Sequence, residues 1–181
     1  QLEADIHSSK MNFLEEHTSS IASLWLMEDM LIRRQIDVPT VESIMEDVDS
    51  EYENNVYYQS VKKRIEGYNA SKVGQLAPNI QTTNTPDNSE FDLRSLRGKY
   101  VLLDFWGTWC SACIAGIPSM KDFKEKHKDS LQIVGIAKDN DVEKWKAYIK
   151  KYNMDWPHVL VGEGEQNHVE NYNVAGYPTK I

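Results

Sequence analysis

Two cysteines in the run Cys110-Ser111-Ala112-Cys113 are the residues whose type and spacing could do chemistry, and they are the only cysteines in the chain. A multi-disulfide secreted framework is therefore excluded. An apolar run precedes the pair and a helical pattern follows it, which puts Cys110 at a helix N-terminus. Unpaired backbone N–H groups and the helix dipole favour a thiolate there. Such a sulfur can attack a partner disulfide, and a cysteine one helical turn later can resolve the mixed disulfide.

Other uses of the pair fit less well. A structural disulfide closing so short a loop contributes only about 2 kcal/mol on the chain-entropy estimate. Zinc needs more ligands, and the nearby His127, His158 and His168 lack tight spacing. Haem attachment requires histidine where Ile114 stands. A peroxidatic cysteine needs no partner three residues away. Redox exchange accounts best for the spacing.

The elements that must position the pair follow from periodicity. Residues 100–106 form an apolar run around the single Asp104, the pattern of a strand buried on both faces. Ile114, Ile117, Met120 and Phe123 then step as on a helix. Residues 131–137 read as another buried strand, and Val142, Trp145, Ile149 and Tyr152 as another helix. Strand, helix, strand, helix implies parallel pairing in an α/β sheet. Trp106, Trp145 and Trp156 read as packing residues.

Residues 74–90 are rich in Gly, Pro, Asn, Thr and Asp, the chemistry of loops, so a boundary is placed near Gly74. The 1–73 segment reads as helical. Ile21, Leu24, Met27 and Leu31 share one face, with Thr18 or Ser19 as the cap. A second helix is expected after Thr40. A third is marked by Tyr57, Val61, Ile65 and Tyr68, ending at Gly67 or in the polar stretch beyond. No internal repeat is present.

Charge and composition narrow the function classes. With 40% hydrophobic and 27% charged residues the chain has the balance of a folded globular protein. Its net charge of −8 argues against a sequence-independent grip on nucleic acid or on an anionic membrane. The acidity is concentrated in residues 1–73, with 14 acidic against 7 basic side chains. No apolar run is long enough for a membrane span, and no leader is visible at the N-terminus, so either the protein is cytoplasmic or a leader has been removed.

At the cysteines a family resemblance enters. Leu103-Asp104-Phe105-Trp106-Gly107-Thr108-Trp109-Cys110-Ser111-Ala112-Cys113 resembles the active-site strand and loop of the thioredoxin superfamily, nearest its exported TlpA/ResA-like branch. Gly74-Gln75-Leu76-Ala77-Pro78 and Leu93 to Lys99 resemble that branch's entry loop and the turn before its central strand. Trp156-Pro157-His158 and Tyr172 to Thr179 continue the match, which covers residues 74–181. The resemblance implies a thioredoxin-like fold, a central mixed sheet flanked by helices. Here it would be C-terminally incomplete, without its last strands and helix, and preceded by a small all-α segment.

The resemblance also assigns roles. Cys110 would attack and Cys113 resolve, with Trp109 beside an exposed sulfur. Pro178 matches the family's cis-proline, whose loop lets Tyr177 pair its backbone with a substrate peptide. Asp104 matches the family's buried acid, which could take a proton from Cys113 as that thiol attacks. Pro118 matches the proline that kinks the active-site helix. The implied activity is thiol–disulfide exchange with protein substrates, as reductant or isomerase, supplied by an unidentified electron donor. No cofactor beyond the Cys110–Cys113 disulfide and no metal is implied. The branch places such proteins in the bacterial periplasm or envelope, free or membrane-anchored.

Departures leave other readings open. Ser111-Ala112 replaces Gly-Pro, a pair that tunes redox potential. Gly116 stands where ResA-like proteins often carry a glutamate, and Gly135 where thioredoxins themselves place a lysine beside the buried acid. Proton handling is therefore expected to rest on Asp104 alone. Two alternatives stand beside the main reading. One is a thiol peroxidase, although the usual Pro-x-x-x-Thr-x-x-Cys signature is missing. The other is a partner-binding module whose cysteines are inert or hold a metal.

Overall fold

The computed structural model describes residues 2–162 and 167–181. It divides into two compact units. One comprises the residues up to Ala77 together with Glu170–Ala175, the other Pro78–Val169 with Gly176–Ile181. The first unit thus ends a few residues beyond Gly74 and takes in a short segment from late in the chain.

The helical unit contains α1 (Leu2–Glu16), α2 (Ile21–Ile32), α3 (Val38–Met45) and α4 (Val56–Ser71). Its core is aliphatic, with Leu14, Leu24, Met27, Met30, Val41 and Val61 wholly buried. Of the expected face of α2, Leu24, Met27 and Leu31 are buried, whereas Ile21, the first helical residue, is 54% exposed. The cap is Ser20, not Thr18 or Ser19. Its hydroxyl accepts the Ser23 N–H at 3.1 Å, while the Ser19 hydroxyl accepts the Asp49 N–H at 2.9 Å. Asp37 starts α3 earlier than expected by accepting the Thr40 N–H at 2.8 Å, with Pro39 in the first turn. Gly67 does not end α4, which runs on to Ser71. A Cβ there would collide with the Glu170 carbonyl oxygen, so this glycine serves close packing.

The second unit holds a two-stranded antiparallel ribbon, β1 (Gln81–Thr82) with β2 (Phe91–Asp92), and a four-stranded sheet. The sheet comprises β3 (Tyr100–Trp106), β4 (Leu131–Ala137), β5 (His158–Leu160) and β6 (Thr179–Lys180), in the order β5-β4-β3-β6. β3 is parallel to β4, β4 is parallel to β5, and β6 runs antiparallel to β3, making the sheet mixed. Helices α5 (Ser111–Lys126) and α6 (Val142–Lys151) follow β3 and β4; a short α7 spans His168–Asn171, its last two residues counting with the first unit. Among the described residues no helix is long and apolar enough to cross a membrane.

Candidate active site

β3 delivers the chain to the cysteines. Its last residue, Trp106, is buried, and Gly107, Thr108 and Trp109 then lead to Cys110, the N-cap of α5. Two contacts to the segment after β4 pin this loop. The Thr108 N–H donates to Asp139 Oδ2, and the Trp109 indole N–H to the Lys138 carbonyl, both at 2.8 Å. Gly107 is required for the second, because a Cβ there would stand 2.6 Å from Trp109 Nε1 and 3.0 Å from the Lys138 oxygen.

Cys110 and Cys113 are joined as a disulfide. Cys110 Sγ also accepts the Cys113 backbone N–H at 3.1 Å, so a helix-terminal donor points at the first sulfur. Cys110 is only 6% exposed, which corrects the expectation of an exposed sulfur. Both cysteines pack in one cluster with Trp106, Ile117, Met120, Trp145 and Trp156. Trp109 remains largely open to solvent. Its ring meets Tyr177 edge-on, with centroids 5.1 Å apart. Burial pushes the Tyr177 phenol up to about 12. The Tyr177–Pro178 peptide is cis, and the Thr179 hydroxyl donates to the Gly176 carbonyl at 2.8 Å.

Asp104 lies mid-strand in β3 and is buried. Alternation along the strand puts it on the same face as Leu102 and Trp106, the face that packs in the cysteine cluster. It does not stand alone. Lys180 is its register partner on β6, and Lys180 Nζ lies 2.9 Å from Asp104 Oδ1, an ion pair rather than an aligned hydrogen bond. Glycine at 135 leaves β4 without a lysine beside the acid, but the acid is not without a cation. A lysine reaches the acid from a different strand.

Gly135 has another consequence. It pairs with Asp104 on one side and His158 on the other, and a Cβ there would collide with the His158 imidazole. The ring sits edge-on to Trp106, with centroids 5.8 Å apart, and near Trp156. Burial pushes its imidazolium down to about 4, the Met154 backbone acting weakly in the opposite sense. Neither ring nitrogen has a hydrogen-bond partner of good geometry among the described residues. His158 is thus a neutral interior group. Among the described residues no three His, Cys, Asp or Glu side chains gather to hold a metal ion.

Six residues singled out from the sequence lie in this unit: Cys110 and Cys113 in the disulfide, Asp104 on the facing strand, and Trp109, Tyr177 and Pro178 around the cis peptide. Lys180, His158 and Asp139 were missed as partners of the site. Register supplies the first two, and a loop contact the third.

Comparison with known proteins agrees with this arrangement. The family model described as Thioredoxin-like matches residues 98–181. Thioredoxin-like protein YneN of Bacillus subtilis (strain 168) is 30% identical over 125 residues, covering 67% of this chain and 69% of the relative. The chain belongs to the thioredoxin-like family. Its thioredoxin-like part is also 31% identical over 111 residues to the thiol-disulfide oxidoreductase ResA of Bacillus cereus, covering 61% of the chain. The match spans 62% of that relative's length. The solved thioredoxin domain of a thiol-disulfide oxidoreductase from Bacteroides vulgatus superposes with a TM-score of 0.56 at 30% identity, covering 61% of this chain and 79% of that one. That superposition shows that the chain shares the fold of a thioredoxin domain.

Proposed function

We propose that this thioredoxin-like chain is a thiol–disulfide oxidoreductase acting on protein substrates, as a reductant or isomerase. The observation that carries the reading is the helix-start disulfide, with the Cys113 N–H directed at Cys110 Sγ. Kinship with proteins named thiol-disulfide oxidoreductase supports it.

In the reduced form, the Cys110 thiolate attacks a substrate disulfide. One substrate sulfur leaves as a thiolate, and Cys110 is joined to the other. Asp104 takes the proton of the Cys113 thiol, and the resulting thiolate attacks Cys110 sulfur. The mixed disulfide breaks, the second substrate sulfur leaves with the electron pair, and the Cys110–Cys113 bond forms. Two electrons have passed to the substrate, and a thiol donor must return them to the dithiol. In isomerisation the released substrate thiolate attacks elsewhere on the same protein instead.

Trp109 directly precedes Cys110 and its ring meets Tyr177, which packs against the cysteine cluster, and the Tyr177–Pro178 loop offers backbone to a substrate strand. The dithiol itself is the only redox group the reaction needs. Kinship with ResA supports action in the bacterial envelope. The test is reduction of a protein disulfide by the pre-reduced chain. Cys110→Ser abolishes it, and Cys113→Ser accumulates a mixed disulfide on Cys110. Full activity in Cys110→Ser overturns the proposal.

A further inference from the structure

Tyr177 is only half-buried, yet its hydroxyl oxygen is closed off from solvent and has no hydrogen-bond partner among the described residues. That reverses the usual arrangement, in which a tyrosine buries its ring and leaves the hydroxyl wet or bonded. A buried donor without an acceptor opposes folding, and in the oxidised chain nothing offsets this one. The ring packs against the cluster that contains Cys110 and Cys113, and it meets edge-on the ring of Trp109, the residue before Cys110. Its loop is tied down on the far side. The Thr179 hydroxyl donates to the Gly176 carbonyl at 2.8 Å, and Thr179 pairs with Phe105 of β3.

We propose that the Tyr177 hydroxyl is a catalytic hydrogen-bond donor whose acceptor exists only in the reduced chain, the Cys110 thiolate. This deepens the oxidoreductase reading of the site and rests on it. A disulfide sulfur is a weak acceptor, whereas a thiolate is a charged and much stronger one. Cys110 Sγ already holds one donor, the Cys113 N–H, and the phenol adds a second from the opposing loop. Burial pushes the phenol up to about 12, so it gives a hydrogen bond and keeps its proton. The unpaired indoles of the cluster are engaged elsewhere. Trp106 and Trp156 have their rings against His158, and Trp145 belongs to α6. The rival donor is the Thr108 hydroxyl, unpaired and two residues before Cys110.

The reducing step balances around that bond. A dithiol donor supplies two electrons and two protons as it becomes a disulfide, and the Cys110–Cys113 bond breaks. One proton stays on Cys113, the other passes to water, and Cys110 is left as a thiolate that accepts from Tyr177. When this thiolate attacks a substrate disulfide, a new S–S bond forms, one substrate sulfur leaves with the electron pair, and the hydroxyl is unpaired again.

The titration midpoint of Cys110 in the reduced full chain is read from the pH dependence of its alkylation by iodoacetamide, with the adduct located by mass spectrometry. Tyr177→Phe removes only the hydroxyl and is expected to raise the midpoint by about 1 pH unit, shifting the equilibrium with glutathione toward the disulfide. Stability separates this from a packing role. Above the midpoint the variant should unfold more easily than the wild type when both are reduced, and no more easily when both are oxidised. An unmoved midpoint overturns the proposal, as does a rise confined to Thr108→Val or an equal loss of stability in the two redox states. Should Tyr177→Phe not fold, Tyr177→Met gives the midpoint. The titration needs no turnover, so inactivity of the wild-type chain toward protein disulfides would sink the oxidoreductase reading without touching this result.

Discussion

The two units bury different things. In the helical unit the interior is mostly Leu, Met and Val, with two buried side chains that carry a hydroxyl among the described residues, Tyr172 and Ser23; the latter lies in the first turn of α2, where its hydroxyl meets that of Ser20. The α/β unit buries Asp104, Thr108, His158 and His168, the His158 ring lying against Trp106 and Trp156. Several of their polar atoms, with the indole N–H groups of Trp106, Trp145 and Trp156, have no hydrogen-bond partner among the described residues. Leaving such groups unpaired opposes folding, so interiors optimised for stability avoid it. Polar interiors that carry this penalty tend to mark sites of chemistry. In the helical unit only Arg64 Nε is unpaired in this way among the described residues, so the polar interior is concentrated in the unit that carries the dithiol.

The largest effect tests the helical half of that contrast. Leu24 is wholly buried in α2, and Leu24→Ala should cost about 2–5 kcal/mol through lost burial and the cavity left behind. Hydrogen exchange should show the loss in the slowest amides of α2 and α4. Unchanged exchange there would mean that the aliphatic core is not what holds these helices.

Next in size is a pH effect belonging to the α/β interior. His158 is held neutral, its imidazolium down at about 4. In the unfolded chain it titrates near pH ~6.5. Between these values the unfolded state binds the proton and the folded state does not, so stability falls as pH drops through this window. The loss should be on the order of 3 kcal/mol for this group. Burial pushes His168 in the same direction. Urea unfolding of the α/β unit at about pH 7, 5.5 and 4.5 should show the decline, and His158→Gln should flatten it. An identical slope in the variant would show that His158 is not the group responsible.

These interior polar groups mark the limit of what was legible in the sequence. The strands around Asp104 and at 131–137, and the helix after Cys113, were readable because each is a continuous apolar run or a clear helical period. The cysteines, Asp104, Trp109, Tyr177 and Pro178 were singled out because each sits in a local motif. Lys180 was not, since its meeting with Asp104 depends on β6 pairing antiparallel to β3, a register that no local pattern encodes. His158 needed a glycine on a neighbouring strand to make room for its ring. The start of α2 was misplaced for a related reason. Thr18, Ser19 and Ser20 are all competent caps, and Ser19 is drawn instead to Asp49, 30 residues away.

A matched pair of glycines sharpens the comparison at a smaller scale. An added methyl at Gly67 would strike backbone, the Glu170 carbonyl oxygen, whereas one at Gly135 would strike the His158 side chain. Each alanine variant should lose about 1–3 kcal/mol by overpacking, Gly67→Ala toward the upper end because backbone cannot rotate away. Adding His158→Ala should recover part of the loss in Gly135→Ala. Thermal unfolding of the double variant below that of both single variants would remove the steric account of this position.

The smallest effect is at the cap. Ser20→Ala removes the acceptor for the Ser23 N–H and should cost about 1 kcal/mol. Ser20→Asp should restore most of it, because a carboxylate accepts the same N–H and also favours the positive end of the helix dipole. The Ser23 hydroxyl, which bonds both the Ser20 hydroxyl and the His17 carbonyl, would keep only the second contact in Ser20→Ala. Exchange rates of the first-turn amides of α2 would report the loss. If Ser20→Asp failed to slow them, the helix start would be set by the Ser23–His17 contact instead. The helical unit would then share the trait of the α/β unit, in which a buried polar group determines local structure.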